Sequence, residues 1–275
     1  MAVNTENLIL SEVDSVRGYD NNGDLLFIVD ELQDFKIANT EDKSDVTGKG
    51  SRRLKSIKKN KAVTISGTNG VFSGGLAAVQ VGTDVQNDAD AQIDWYETLT
   101  VNSNAATTSF KAVGTAGAEI KAYKKLSNGA AGEALTQVAS TPETGKFTYT
   151  PDTKALAFKS GDLADGTEII VCYKRKIKAA VVSNISDNYS KTCRLVADVV
   201  ATDTCDNAYH AQFQIPRADF SGTFDFSMGG DQMVHTFEAN SLVSKGGCGG
   251  SGSGSGSTSK LWDMILFEDG VADAT

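Results

Sequence analysis

The side chains able to do covalent or metal chemistry in this 275-residue chain are few, and their spacing decides what they can do. His210 and His235 lie in alternating contexts with no Cys or Asp at metal-ligand spacing, and no HExxH pair exists. Cys172, Cys193, Cys205 and Cys248 form no CxxC pair and read as buried or idle thiols. Gly48-Lys49-Gly50 lacks the third glycine and the preceding strand of a dinucleotide loop, and no GxSxG elbow is present. Gly145-Lys146-Phe147 has neither the upstream glycine nor the Ser/Thr of a phosphate loop. Asp20, Asn22 and Asp24 fail the register of a calcium loop, so Asn22-Gly23 reads as a hairpin turn. Asp203 and Asp206 read as an acidic turn. The expectation is a protein that is not an enzyme and has neither cofactor nor metal.

The most unusual composition is at 45–70, where Arg52, Arg53, Lys55, Lys58, Lys59 and Lys61 crowd a chain whose net charge is -9. Glu41, Asp42 and Asp45 come immediately before. A loop acidic at one end and basic at the other suits charge pairing with itself or between copies of the chain; a solvated loop without a partner is the plain alternative. The overall acidic balance opposes a nucleic-acid binder, and the run lacks interleaved aromatics.

The elements that must hold these residues read as strands. The chain has 27 glycines and 3 prolines, and its apolar runs give way to turn residues every ten or so positions without long helical patterns, which favours a mostly β sandwich or barrel. Strands are expected at 8–16, 25–37, 61–66, 93–101, 109–113, 169–177, 195–200, 209–215 and 261–267, and over the alternating 223–228 and 233–239. Pro216 should end a strand or mark an edge. Phe72, Leu76 and Val79 predict one short helix over 71–81. Residues 114–166 read as an inserted excursion of small hairpins, dividing a discontinuous barrel domain of 1–113 and 167–275. Residues 246–259 read as a flexible loop by composition. No signal peptide and no run near the roughly 20 apolar residues of a membrane span are visible, so an intracellular origin and no membrane partner are expected.

Two stretches carry a resemblance. Asp45-Val46-Thr47-Gly48-Lys49-Gly50, with Lys55 to Lys61 and Gly67-Thr68-Asn69-Gly70, is the first; Gln214-Ile215-Pro216-Arg217-Ala218, Gly222-Thr223-Phe224, Gly230-Asp231-Gln232, Phe237-Glu238 and Leu261-Trp262 form the second. In this order they resemble the major tail tube proteins of long, non-contractile-tailed bacteriophages, related to the type VI secretion tube protein. The likeness covers most of the chain except 114–166. It implies two antiparallel sheets in a sandwich or barrel with one short helix, and a subunit that assembles into six-membered rings stacked into a hollow tail tube. Its implied partners are other copies, tape measure and tail terminator proteins, and genomic DNA passing without specific binding, in a virion tail assembled in the bacterial host cytoplasm. In that setting Arg52, Arg53, Lys55, Lys58 and Lys59, with Glu41, Asp42 and Asp45, are expected at the subunit interface. The alternative is a carbohydrate- or cell-binding module presenting Tyr123, Phe147, Tyr149 and Phe158, which serve equally as a small core for the hairpins.

Overall fold

Period-two alternation of apolar and polar residues buries one face of a strand, and most of the chain follows it. The computed structural model describes residues 8–203, 208–228, 234–243 and 260–268. The chain divides into two units, Met1–Val85 with Val182–Thr275, and Gln86–Val181.

The first unit contains β1 (Ile9–Tyr19), β2 (Leu25–Val29), β3 (Leu32–Thr47) and β4 (Arg53–Asn69), with a single 3-10 turn at Lys49–Ser51 and the helix α1 (Gly74–Val81). The second holds β5 (Gln86–Thr100), β6 (Ala105–Thr107), β7 (Ile120–Lys125), β8 (Ala131–Gln137), β9 (Lys146–Thr150), β10 (Ala155–Phe158) and β11 (Glu168–Val181). The chain then returns to the first unit with β12 (Thr192–Thr202), β13 (Ala208–Phe220), β14 (Phe226–Ser227), β15 (Val234–Ser241) and β16 (Asp263–Glu268). The mostly β class holds, with one α-helix and two sheets among the described residues. All pairings are antiparallel except β8 with β9.

In the first unit the order is β2-β1-β12-β13-β15-β4-β3, with β14 on β15 and β16 on β13. Val16, Phe27, Val63, Ile65, Leu195, Ile215 and Phe237 point to one core, and Leu76 and Val79 of α1 pack into it. The helix begins later than 71 because Ser73 is its N-cap, accepting from the Leu76 amide. It ends at Gly82, whose left-handed φ of 77° suits the C-cap; a Cβ there would lie 1.9 Å from the Tyr189 carbonyl oxygen.

Pro216 neither ends β13 nor lies on a sheet edge. It sits inside the strand where pairing with β12 slips between Cys193↔Ala218 and Leu195↔Ile215. On the other side β16 pairs only up to Gln214 and β15 begins at Ala218, so the missing proline N–H falls between two partners.

The second unit is wider than 114–166. Its flanks β5 and β11 pair with each other from Gln86↔Val181 to Thr100↔Glu168 and share one sheet with the hairpins, in the order β5-β11-β7-β8-β9-β10-β6. The first and last strands of that order follow each other in the chain through the Asn102↔Ala105 turn, so the sheet curls around its own core. Phe147, Tyr149 and Phe158 are buried in that core with Leu156, Ile169 and Val171. The expected strand at 109–113 is absent; Val113 makes a lone bridge to Lys174.

Candidate subunit interface

The basic run lies on a strand, not in the acidic-to-basic loop expected between the strands at 25–37 and 61–66. β3 and β4 pair from Leu32↔Asn69 out to Thr47↔Arg53, forming one long hairpin. Its inner half is part of the sheet, with Val63 and Ile65 buried; beyond it the ribbon is exposed on both faces over 40–47 and 49–62. The change comes where the register slips between Thr40 and Asp42, opposite Asn60, which takes a left-handed φ of 54° and donates to Asp42 at 2.9 Å. At the tip Gly50 (φ 75°) and Ser51 (φ 58°) turn the chain, and the Gly48 amide donates to the Arg52 carbonyl at 2.8 Å.

Directly opposed residues share a face, so one side of this arm carries Lys43↔Lys58 beside Asp45↔Ser56. Two ammonium groups facing each other repel, and Glu41 relieves them: its carboxylate lies 3.2 Å from Lys58 and 3.5 Å from Lys43. The hydrogen bond from Lys58 is the main reason the Glu41 carboxyl titrates below its ordinary range. Arg53 reaches Asp45 at 2.5 Å.

The three acids expected at the interface are therefore engaged within their own arm. Arg52, Lys55 and Lys59 have no ion pair among the described residues. From 39 to 61 the arm carries eight cations and three carboxylates, a surplus of five positive charges on a chain of net charge -9, so the rest carries an excess of fourteen negative charges.

The other face of the arm holds Val46↔Lys55, Ser44↔Ile57 and Asp42↔Lys59. Val46 and Ile57 are exposed there, and Leu54 near the tip is 68% exposed. Sequence reading missed these three apolar residues because the charges around them masked them. Their signal was in plain view: Leu54 and Ile57 interrupt a run that is otherwise polar or cationic.

The other candidate residues sort simply. His235 is fully buried, its Nε2 2.8 Å from Gln80 Oε1, as a satisfied core-side histidine. His210 stacks on Phe267. Cys193 is buried with its thiol pushed up to about 12 by desolvation, Cys172 is half-buried, and Cys205 and Cys248 lie outside the described residues, as does Asp206. Asp20 accepts the amides of Asn22 and Asp24 at 2.8 Å, which makes the 20–24 joint a turn closed by its own carboxylate. Among the described residues no group of three or more His, Cys, Asp or Glu is placed to hold a metal ion, and no helix is long and apolar enough to cross a membrane. An open groove of about 830 Å³ between β1 and β3 is lined mainly by Leu10, Val13, Phe35, Phe213 and Trp262, with Glu12 and Asp34 as its carboxylates.

A search of curated proteins finds no match to the chain. A family model does match it, over residues 8–251, and its name agrees with the resemblance to phage tail tube proteins. With the helix, the whole arm and every strand but β16 inside that span, the chain belongs to the YomU/Tube protein family.

Proposed function

We propose that this protein is the structural subunit of a phage tail tube, assembling into six-membered rings that stack into a hollow conduit for the genome. It is not an enzyme, takes no cofactor, and works in the virion tail after assembly in the host cytoplasm. Its partners are further copies, tape measure and tail terminator proteins at the tube's ends, and DNA that passes without specific contacts. The observation that carries this reading is the exposed arm, a ribbon with a surplus of five positive charges on an otherwise acidic chain. An isolated two-stranded ribbon is only marginally stable in water, so docking on a neighbour would secure it. Arg52, Arg53, Lys55, Lys58 and Lys59 face that neighbour, and the acidic remainder of the chain supplies the opposite charge. A lumen lined by acidic surface repels phosphate and lets DNA slide.

The test is charge reversal. Arg52→Glu with Arg53→Glu, examined by negative-stain electron microscopy beside the wild type, is expected to abolish long tubes while leaving the circular dichroism spectrum unchanged. Tubes of normal length from the double variant would remove the arm from the interface. The adhesion alternative relied on the aromatics of the second unit, and three of the four, Phe147, Tyr149 and Phe158, are core residues.

A further inference from the structure

The hairpin that carries the basic arm has a second end. At its foot, Leu32 pairs with Asn69, the Gly70 amide donates to the Glu31 carbonyl at 2.8 Å, and the chain continues into Val71 and Phe72. Phe226 of β14 comes to the same place because it pairs with His235, which pairs with Asn69. Phe72 and Phe226 meet edge to face at 5.4 Å, and Phe224 touches Phe226 at 5.0 Å. Such a cluster would ordinarily be buried, yet Phe72 is 51% exposed, and Val71, Phe226 and Met228 are exposed beside it. Asp30, Glu31 and Asp225 flank it, exposed and without an ion pair among the described residues.

Tip and foot are opposite in character and complementary. The tip offers Leu54 with Arg52, Arg53 and Lys55; the foot offers aromatic faces ringed by carboxylates. They lie at the two ends of β4, whose 17 residues at about 3.3 Å each hold them roughly 50 Å apart. Paired at that distance the tip does not reach its own foot, and a second copy brings the two together.

We propose that the aromatic patch at the foot of the hairpin, built on Val71, Phe72 and Phe226, is the acceptor for the arm tip of another copy. Leu54 packs on the rings, Arg52 and Arg53 lie over their faces, and Asp30, Glu31 and Asp225 neutralise the surplus charge. The contact is head-to-tail, so every docked copy presents a fresh patch at one end and a fresh arm at the other, and it propagates along the tube from one ring to the next. This rests on the self-assembly reading and names the surface that reading leaves open.

The experiment is a complementation between two full-length variants. One loses the arm's function through Arg52→Glu, Arg53→Glu and Leu54→Ser; the other loses the patch through Val71→Ser and Phe72→Ser. A milder patch variant, Val71→Ser with Met228→Ser, leaves Phe72 stacked on His235 at 5.7 Å and guards against misfolding. Each is expected to raise the critical concentration for tube growth at least about tenfold, the loss of a contact worth near 1.4 kcal/mol. Mixed in equal amounts, the arm and patch variants are expected to give a discrete complex and no tubes, because one intact tip meets one intact patch and growth stops there. If the wild type forms tubes and both patch variants form them equally well, the acceptor lies elsewhere and the tube reading stands. If the two variants ignore each other on mixing while the wild type grows, the pairing of tip with patch is overturned. If the wild type itself stays monomeric at all concentrations, both readings fall together.

Discussion

His235 is fully buried, and burial alone pushes its pKa down to about 4. The Ser73 amide faces Nδ1 at 3.5 Å and Gln80 Oε1 faces Nε2, so the neutral ring with its proton on Nε2 satisfies both. Gln80 in turn donates to the Thr236 carbonyl at 2.9 Å, which ties α1 to β15. A second proton would set an N–H against the Ser73 N–H inside a ring of phenyl groups. Because the folded pKa lies below the unfolded value of 6.5, the unfolded chain takes up the proton first. Stability is therefore full above pH 6.5 and falls as pH drops through the window from 6.5 to 4, by about 3 kcal/mol in all. Denaturant melts at pH 7 and pH 4.5 measure it: His235→Gln is expected to flatten this part of the pH dependence, and an unchanged slope would show that the acid sensitivity arises elsewhere. The inward face of His235 was legible in the sequence, since 235, 237 and 239 alternate with polar neighbours. Its partner was not, because Gln80 lies 155 positions away and no local pattern links them.

Among the elements, the helix was legible and the arm was not, for one physical reason. α1 buries six of its residues and so had to show an apolar run, whereas the outer half of the arm faces water on both sides and shows no period-two pattern. Strand identity there is set by pairing across the hairpin, which periodicity along one strand cannot report. The arm leaves the sheet at Asn60, whose positive φ a β-branched side chain resists. Asn60→Val is expected to cost about 1 to 2 kcal/mol locally and to speed amide exchange across 53–59, while Asn60→Gly leaves it nearly unchanged. Equal exchange in both variants would mean that the bulge is not what fixes the arm. Since the surplus charge of the arm is exposed, tube growth is also expected to weaken with added salt, as screening shortens the reach of exposed charges to about 3 Å at 1 M. Light scattering over a salt series reads this directly, and salt-independent growth would make the contact apolar alone.

At the scale of the whole chain, the excursion was visible as a change in composition but its limits were not. β5 and β11 carry the same alternation as the strands of the other unit, so only their mutual pairing shows where they belong. That pairing begins at Gln86↔Val181, which puts the unit's two chain ends on neighbouring strands, within about 5 Å. Replacing 86–181 by a two- to four-residue turn is expected to leave the first unit folded with a single cooperative transition, and the excised piece is expected to fold on its own core. Phe147→Ala in the intact protein should then lower one calorimetric transition by about 3 to 5 kcal/mol and leave the other in place. A single shared transition would show that the units fold as one. The last strand follows a related rule. Ser241 Oγ donates to the Leu261 carbonyl at 2.6 Å, so the backbone departs after β15 and resumes before β16 at one spot, and the two strands fill consecutive stretches of a single slot along β13. The sheet fixes the two ends of that connection and not its length, so peptide inserted between them is expected to leave every pairing along β13 intact, which makes this a natural place to display a foreign epitope.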